Sequence, residues 1–285
     1  MKDAKGGVRG SPLLVVSKGK LNGALHHVRP FLPLATHSMR HIIAPMFWNI
    51  ILYIGMTIAR FPLMVSYNIF GKENVPAEGP FIVVVNHSSI MDTALTFFVA
   101  PWFQRIFFAA KTWERVFFLG WGMKKGGAVY IHRGQVDRQA MKEALVSIKT
   151  GKIFGMAPEG TRSSDGRLAK GRDGAVYLAT KSGVPVIPVG ITGANRWRDN
   201  VHRLRWTQLE AHIGKPLTMP DLGRTIRSRD LPAYTHYVMV HIAHQLPEYY
   251  WGIYADSQAL KALQEGNDPW PHCLAAEGVV GVSNA

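Results

Sequence analysis

Cysteine is almost absent from this chain: Cys273 is the only one among 285 residues. An internal disulfide and a metal site built from cysteines are therefore excluded, and a reducing compartment fits this composition. Cys273 follows His272 in the Pro-rich stretch NDPWPHCLAAEG, away from any predicted strand end. We expect a passive thiol at this position and not a Cys-His nucleophile.

Acidic residues are scarce as well. The chain has 19 Asp and Glu against 33 Lys and Arg, which gives a formal net charge of +14. Such a balance favours anionic partners, namely nucleic acid, anionic lipid or a phosphorylated substrate, and charge alone does not choose among them. A nucleic-acid-binding protein needs a basic helix or a stacking sheet. Here the basic residues are dispersed and the aromatic residues sit in apolar runs such as WERVFFLGW, so nucleic acid is not expected as a partner.

A secretory signal is not expected either, because the first 40 residues contain no early apolar core with a small-residue cleavage site. Residues 42–59, IIAPMFWNIILYIGMTIA, carry no charge and as a helix would span about 27 Å, near the thickness of a bilayer's hydrocarbon core. Pro45, Asn49 and Gly55 interrupt this run. Seven Lys or Arg precede it and a basic domain follows, so the positive-inside rule indicates no crossing direction. We favour an interfacial or re-entrant helical anchor over a single span, with a buried soluble helix as the remaining alternative.

Strand and helix patterns alternate from residue 73 onward, with no internal repeat or low-complexity tract. This alternation predicts an α/β fold with a sheet flanked by helices. The predicted strands are GPFIVVVNH, RIFFAA, GGAVYIHR, KIFGMAP, VPVIPVGI and WTQLEAHIG. The predicted helices are DTALTFFVA, KTWERVFFLGWGM, QVDRQAMKEALVSIKTG, GAVYLATKSG and LPAYTHYVMVHIAHQLP, the last begun by Asp230.

A histidine and a carboxylate stand at the end of the first of these strands, in VVVNHSSIMD. His87 and Asp92 are five residues apart, an offset that on a continuous helix turns about 500° and would point the side chains apart. Ser88 and Ser89 are turn and N-cap residues, so the chain bends between strand and helix. We predict that a His87 nitrogen and an Asp92 oxygen lie within about 3.5 Å, which leaves the other ring nitrogen to take a proton.

Spacing alone is weak evidence, because a second pair with the same offset occurs. His132 and Asp137 stand in YIHRGQVD, with Arg133 between them and no serine turn. We interpret this second pair as a coincidence, and it supplies a control for the first.

A second candidate feature is the turn APEGTRSSDG, which follows the strand KIFGM. Its backbone, the hydroxyls of Thr161, Ser163 and Ser164, and the Arg162 guanidinium are suited to a phosphate. Glu159 would repel a phosphate, so we expect it to orient Arg162 or to hold the loop. An ordinary surface turn is the alternative.

Two more cations follow predicted strands. Arg133 comes after AVYI and Lys111 after FFAA. Strand-end cations in α/β sheets often face the ligand crevice. Taken alone, however, each of the two is better interpreted as solvated surface.

These motifs together resemble the 1-acylglycerol-3-phosphate acyltransferases of the glycerolipid acyltransferase superfamily. The family's Asn-His-four residues-Asp stands here as NHSSIMD, and GGAVYIHR, PEGTRS and VPVIPV follow in family order over roughly residues 71 to 220. WTQLEAHIGKPL also resembles the family's strand that ends in Gly-Lys-Pro. Ala157 replaces the usual Phe, His132 replaces a common acidic residue, and KTWE spaces Lys111 and Glu114 one residue wider. These departures concern acyl and acceptor preference more than the chemistry.

The resemblance implies acyl transfer from acyl-CoA or acyl carrier protein to the free hydroxyl of a lysophospholipid, which makes phosphatidate. His87 is then the general base and Asp92 its partner, and backbone N–H groups near Lys111 are expected to stabilise the oxyanion. Arg133 and Arg162 are expected to bind the acceptor's phosphate. The full set of expected substrate-binding residues is Asn86, Lys111, Arg133, Glu159, Gly160, Thr161 and Arg162. No metal and no cofactor are implied.

The implied domain organisation has three parts. Residues 1–70 form a basic extension with the hydrophobic membrane-associating segment, residues 71–250 the acyltransferase domain, and residues 251–285 a C-terminal tail. Association with an anionic membrane surface is expected, with the catalytic domain on the cytoplasmic face, and the oligomeric state stays open. The alternatives are another acceptor, either lyso-ornithine lipid or glycerol 3-phosphate, and a non-enzymatic membrane- or nucleic-acid-binding protein.

Overall fold

Strands and helices alternate in the computed structural model, which describes residues 50–99 without 52 and 56, residues 105–110, 121, 128–131 and 138–278. In this part of the chain the strands are β1 Val65–Phe70, β2 Ile82–Val85, β3 Arg105–Ala110, β4 Ala128–Ile131, β5 Ile153–Met156, β6 Val186–Thr192 and β7 Thr207–Ile213. The helices are α1 Ile90–Val99, α2 Arg138–Lys149, α3 Gly174–Ser182, α4 Trp197–His202, α5 Leu231–His244, α6 Gln258–Gln264 and α7 Trp270–Ala276. Residues 50–59, leaving out 52 and 56, are helical too.

The strands form one mixed sheet in the order β1-β7-β6-β2-β5-β3-β4. Strands β6, β2, β5, β3 and β4 run parallel, whereas β7 is antiparallel to β6 and parallel to β1. All four residues of β2 and six of the seven in β6 are buried, as expected for central strands covered on both faces. Strands β1 and β7 run opposite to β2 and β6. The starts of β1 and β7 therefore lie at the end of the sheet where β2 and β6 terminate.

The apolar side chains of the sheet divide between its two faces, since neighbouring residues of a strand point in opposite directions. Ile82 and Val84 join a core cluster with α2, α3, α5, α6 and α7. Val83 and Val85 join a second cluster with α1 and with residues of β1 and β7. The predicted α/β fold, a sheet flanked by helices, is confirmed.

One strand of this sheet was not predicted from the sequence. Strand β1, VSYNIF, is half exposed at the sheet edge and shows no clean alternation of buried and exposed residues. Its residues were assigned to the N-terminal extension, yet each of the six pairs with β7. An edge strand with one neighbour carries little apolar signal, because only part of its surface is covered.

The C-terminal residues up to 278 contain α6 and α7, which pack against α5. Leu260 and Cys273 are fully buried, and Trp270 contacts the ring of Tyr234 at 4.6 Å between centroids. Burial raises the pKa of the Cys273 thiol to about 12, which fits a passive role. This stretch, which the sequence suggested was a tail, therefore contributes to the core.

Within the described ranges, no helix is both long enough and apolar enough to span a bilayer. Most of the expected anchor's first half, residues 42–49, and residues 52 and 56 lie outside the described residues. The interfacial anchor therefore stays a prediction.

Candidate active site

The end of β2 is fixed to its neighbour β6 by Asn86, which is only 3% exposed. Its Nδ2 donates to the carbonyl oxygen of Ile191 at 2.9 Å, and its Oδ1 accepts from the backbone N–H of Ile191 at 2.7 Å. A buried amide needs such partners, and here both of its ends are used. Asn86 was expected among the substrate-binding residues, but these bonds suit it to positioning His87, the next residue.

His87 and Asp92 meet as the spacing argument predicted. Nδ1 of His87 lies 3.3 Å from Oδ2 of Asp92. The same oxygen accepts the backbone N–H of Ser89 at 2.6 Å and that of Ser88. The chain turns at the two serines and α1 begins immediately after them, so the carboxylate lies in the first helical turn, where the helix dipole favours negative charge.

The burial of this pair is uneven. Asp92 is completely buried, whereas the His87 side chain keeps 16% of its surface exposed. An ionised Asp92 can only accept, so the hydrogen-bond network assigns the proton of the neutral imidazole to Nδ1. The Nε2 lone pair is then the one that can take a proton.

The turn at residues 157–166 is tied directly to His87. The backbone N–H of His87 donates to Oε1 of Glu159 at 2.8 Å, and the carbonyl oxygen of His87 accepts the N–H of Ser163 at 2.7 Å. The other oxygen of Glu159 accepts the N–H of Ala169 at 3.0 Å. Of the two roles expected for Glu159, these contacts match the one that holds the loop. Arg162, one residue before Ser163, is thereby kept beside the histidine.

Glu159 is 3% exposed, and its burial raises the pKa of the carboxyl from 4.5 to about 7, although the N–H donors of Ala169 and His87 act in the opposite sense. A raised pKa in the folded state means stability that is fully present below pH 4.5 and lost as the pH rises through about 7.

Glu159→Gln should remove this pH dependence, since an amide does not ionise. Between pH 5 and 8 the wild-type free energy of unfolding should fall by about 3 kcal/mol relative to the variant. Urea unfolding of both proteins at several pH values measures this difference, with the exposed Glu248→Gln as the matched control. Parallel curves for wild type and Glu159→Gln would contradict the expectation.

Gly160 follows Glu159 at a φ of 72°, a conformation that favours glycine. A Cβ at this position would lie 3.0 Å from Cδ and 3.1 Å from Nε of Arg172, so that arginine packs against the turn. The N–H of Arg172 donates to the carbonyl oxygen of Pro158 at 2.8 Å. Arg172 was not predicted from the sequence, because it follows no predicted strand and KGRDG offers only the cation itself as a signal. The side chains of Thr161 and Arg162 are exposed at the same turn.

The remaining expected site residues lie outside the described part of the chain. Lys111 and Arg133 are in this group, and so is the second pair, His132 and Asp137. That Arg133 binds the acceptor's phosphate together with Arg162, and that backbone N–H groups near Lys111 stabilise the oxyanion, therefore stay predictions.

An apolar groove lies on the side of α1 that faces the start of the sheet's first strand. It is lined by Ala59, Arg60, Leu63, Val65, Tyr67, Met91, Ala94, Leu95, Phe98 and Leu209. Met91 directly precedes Asp92, so the groove reaches the helical turn that carries the carboxylate.

Comparison with known proteins gives one family and several relatives. Residues 66–192 match the model of the Acyltransferase family, and this segment contains every described candidate residue from Asn86 to Arg172. The chain is similar to the chloroplastic 1-acyl-sn-glycerol-3-phosphate acyltransferase BAT2 of Brassica napus, with 35% identity over 135 residues, which cover 45% of this chain and 38% of the relative. The chain thus spans little more than a third of that relative's length.

Two bacterial proteins are covered more fully. The 1-acyl-sn-glycerol-3-phosphate acyltransferase of Bacillus subtilis is 27% identical over 168 residues, which cover 59% of this chain and 81% of that protein. The crystal structure of the 1-acyl-sn-glycerophosphate acyltransferase PlsC from Thermotoga maritima superposes with a TM-score of 0.55 at 26% identity, covering 75% of this chain and 83% of that chain.

Proposed function

We propose, from the match of residues 66–192 to the Acyltransferase family model, that this chain acylates the free hydroxyl of 1-acylglycerol 3-phosphate and so makes phosphatidate. The donor is a fatty acyl thioester, either acyl-CoA or acyl carrier protein. The observation that carries the proposal is the contact of 3.3 Å between His87 and the buried Asp92 at the end of a central strand. Its support is the turn at residues 157–166, which is hydrogen-bonded to the same histidine.

The hydroxyl of the acceptor needs a base, because an alcohol is a poor nucleophile near pH 7. Nε2 of His87 takes the hydroxyl proton while the oxygen attacks the thioester carbonyl carbon. Asp92 holds the ring through Nδ1–H and stabilises the imidazolium that forms. The tetrahedral intermediate then collapses: the carbon–sulfur bond breaks, the ester bond remains, and the imidazolium returns its proton to the leaving thiolate.

The negative charge on the intermediate's oxygen requires hydrogen-bond donors. Backbone N–H groups near Lys111 remain our expectation for these donors. The apolar groove beside α1 is suited to an acyl chain, since it is lined almost entirely by apolar side chains and reaches the first turn of α1.

The arginines around the turn at residues 157–166 are proposed to bind the phosphate of the acceptor. Arg162 is exposed and lies one residue before Ser163, whose N–H is bonded to His87, so its guanidinium can reach a group next to the reacting hydroxyl. Arg133 is the second expected contact from the sequence. Arg172, which packs against Gly160, is a further cation in the described part of the turn.

Arg162→Ala should raise the acceptor KM by about ten- to a hundredfold, because each charge-assisted contact is worth roughly 1.5–3 kcal/mol. The donor KM should hardly change. Arg162→Lys should restore only part of the loss, since an ammonium cannot form the bidentate fork. Steady-state kinetics with both substrates varied measures these effects.

The matched control for this prediction is Arg167→Ala, a nearby exposed arginine whose guanidinium lies over the ring of Tyr249 at 5.0 Å. Its KM values should stay near those of the wild type. A defect of Arg162→Ala confined to the donor KM would mean that Arg162 binds the phosphates of acyl-CoA, and the acceptor assignment would then be wrong.

In this proposal residues 1–70 carry the interfacial anchor and residues 71–250 form the acyltransferase domain. Strand β1 adds an edge strand to that domain, and α6 and α7 of the C-terminal stretch add to its core. Membrane association with the catalytic domain on the cytoplasmic face follows from the lipid substrate and the basic surface. An anionic lipid surface attracts Lys and Arg by about 1 kcal/mol each.

Incubation of the purified protein with lysophosphatidate and labelled acyl-CoA or acyl carrier protein tests the reaction directly. Phosphatidate is the expected product. Parallel reactions with glycerol 3-phosphate and with lyso-ornithine lipid decide the acceptor within the superfamily. Absence of acylated product with every donor and acceptor would overturn the proposed function.

A further inference from the structure

Exposed apolar side chains are concentrated in one place on this protein. Among the described residues, thirteen large apolar side chains are exposed, and seven of them belong to two segments, residues 51–61 and 204–206. Three stand out at the junction of these segments: Phe61 is 58% exposed, Leu204 81% and Trp206 52%. Scattered single apolar residues are normal on a surface, whereas a contiguous group calls for an explanation.

The two segments form one surface because they are joined at their ends. Val65 at the start of β1 pairs with Thr207 at the start of β7, and the N–H of Thr207 donates to the carbonyl oxygen of Met64 at 2.8 Å. Just before these strands, the rings of Phe61 and Trp206 lie 6.3 Å apart in an edge-to-face arrangement. We call Phe61, Leu204 and Trp206, with the arginines around them, the basic-apolar tip.

The arginines of the tip are Arg60, Arg203 and Arg205. The guanidinium of Arg60 lies 4.9 Å from the ring centroid of Phe61. The stretch from His202 to Trp206, HRLRW, is exposed throughout, so Leu204 projects between two arginines. Leu204 adopts a φ of 51°, a left-handed conformation that ends α4, and the N–H of Arg205 donates to the carbonyl oxygen of Asn200 at 2.8 Å across this turn.

The tip lies at the same end of the sheet as the candidate active site, namely the end where β2 and β6 terminate. Asn86 is bonded to Ile191, and Ile191 is paired with Ala211 of β7. Thr207 is four residues nearer the start of β7, so it projects about 13 Å beyond that level on the side where β2 and β6 end. A planar surface that meets the tip therefore faces the end of the sheet that carries His87.

We propose that the basic-apolar tip is a docking surface for an anionic lipid bilayer, on which Leu204 and Trp206 enter the headgroup region while the three arginines of the tip bind lipid phosphates. The tip residues all lie outside residues 66–192, the segment that matches the family. The proposal deepens the proposed function, because it rests on a lipid acceptor being presented to the active site from a membrane, but docking itself is measurable without any acceptor.

An anionic bilayer fits this surface better than a second copy of the chain does. In a twofold contact the same patch would face itself, and three arginines would oppose three arginines. Anionic headgroups instead attract those arginines, tryptophan is enriched at the membrane–water interface, and leucine gains by leaving water.

The single native cysteine makes a site-specific test possible. Cys273 is completely buried, so a cysteine introduced at position 204 is the accessible thiol for an environment-sensitive fluorophore. On vesicles of phosphatidylglycerol and phosphatidylcholine, labelled Leu204→Cys should show a blue-shifted emission that is quenched by shallow brominated lipids. Labelled Val146→Cys on α2, 56% exposed in the native protein, is the matched control and should show neither effect.

Removal of the tip's charge tests the electrostatic half of the proposal. Arg203→Ala with Arg205→Ala should weaken binding to vesicles containing phosphatidylglycerol by about thirtyfold, which corresponds to about 1 kcal/mol for each arginine. Binding to pure phosphatidylcholine should stay unchanged. An unshifted label at position 204 on vesicles that have captured the protein would overturn the proposal, and so would a shift that appears without vesicles and grows with protein concentration, since that marks self-association.

Docking and catalysis can fail separately. Adding His87→Ala to labelled Leu204→Cys should abolish acyl transfer and leave the blue shift intact. A normal shift in a protein that acylates no acceptor would overturn the proposed function while docking stands. Full transfer to acceptor in vesicles with no shift at position 204 would overturn docking while the function stands.

Discussion

His87→Ala is expected to lower the rate of acyl transfer by about four orders of magnitude, with the fold retained. The imidazole is the only group that the proposed mechanism uses to move the hydroxyl proton, and loss of such a base typically leaves only what binding and orientation contribute. The side chain is 16% exposed, and the bonds of the backbone N–H and carbonyl groups of His87 to Glu159 and Ser163 do not depend on it. Steady-state rates and a circular dichroism spectrum check the two halves of this prediction.

The control comes from the second histidine–aspartate pair. His132→Ala should leave transfer close to the wild-type rate, because the pair with Asp137 has no serine turn to bring its members together. An inactive His132→Ala together with an active His87→Ala would show that the base had been assigned to the wrong pair.

Asp92→Asn is expected to lower kcat by about a thousandfold or more. The three close contacts of this carboxylate, from His87 Nδ1 and the N–H groups of Ser88 and Ser89, all converge on Oδ2. An asparagine oxygen at that position can keep the two backbone bonds, so the turn should survive. What disappears is the negative charge that stabilises the imidazolium as it forms.

A comparison with Asp92→Ala separates catalysis from folding. Alanine leaves the two serine N–H groups without their acceptor, so Asp92→Ala should also lose stability in urea, by about 1–3 kcal/mol for buried donors left unpaired. Asp92→Asn should unfold at nearly the wild-type urea concentration. A wild-type kcat for Asp92→Asn would end the argument that the pair acts as a unit.

Short stretches of the sequence were enough to predict the central part of the fold. The apolar runs of β2 and β6 are buried on both faces, so they carry a strong signal that depends on no particular neighbour. The pairing of His87 with Asp92 was predictable for a related reason. Its parts lie within six residues, and the serine turn and the start of α1 are local features that bring the two side chains together.

The resemblance to the acyltransferases also rests on short consecutive stretches, namely NHSSIMD, PEGTRS and VPVIPV. It is confirmed by the family match over residues 66–192. The roles of the residues around the base were harder to predict from the sequence. Asn86 and Glu159 stand in motifs that suggested contact with substrate, but their partners Ile191 and Ala169 lie elsewhere along the chain and no local pattern names them.

The sequence by itself determined which segments become central strands and helices, and which histidine has a carboxylate within reach, because burial pattern and turn chemistry are properties of a few consecutive residues. Tertiary structure alone decided that β7 reverses direction beside β6, that β1 closes the edge, and that Ser163 is tied to His87. It also placed Phe61 against Trp206, 145 positions away, on the edge that carries the active site. Each of these contacts joins residues far apart in the sequence. Their pairing depends on the shape of the whole sheet, which a local sequence pattern does not determine.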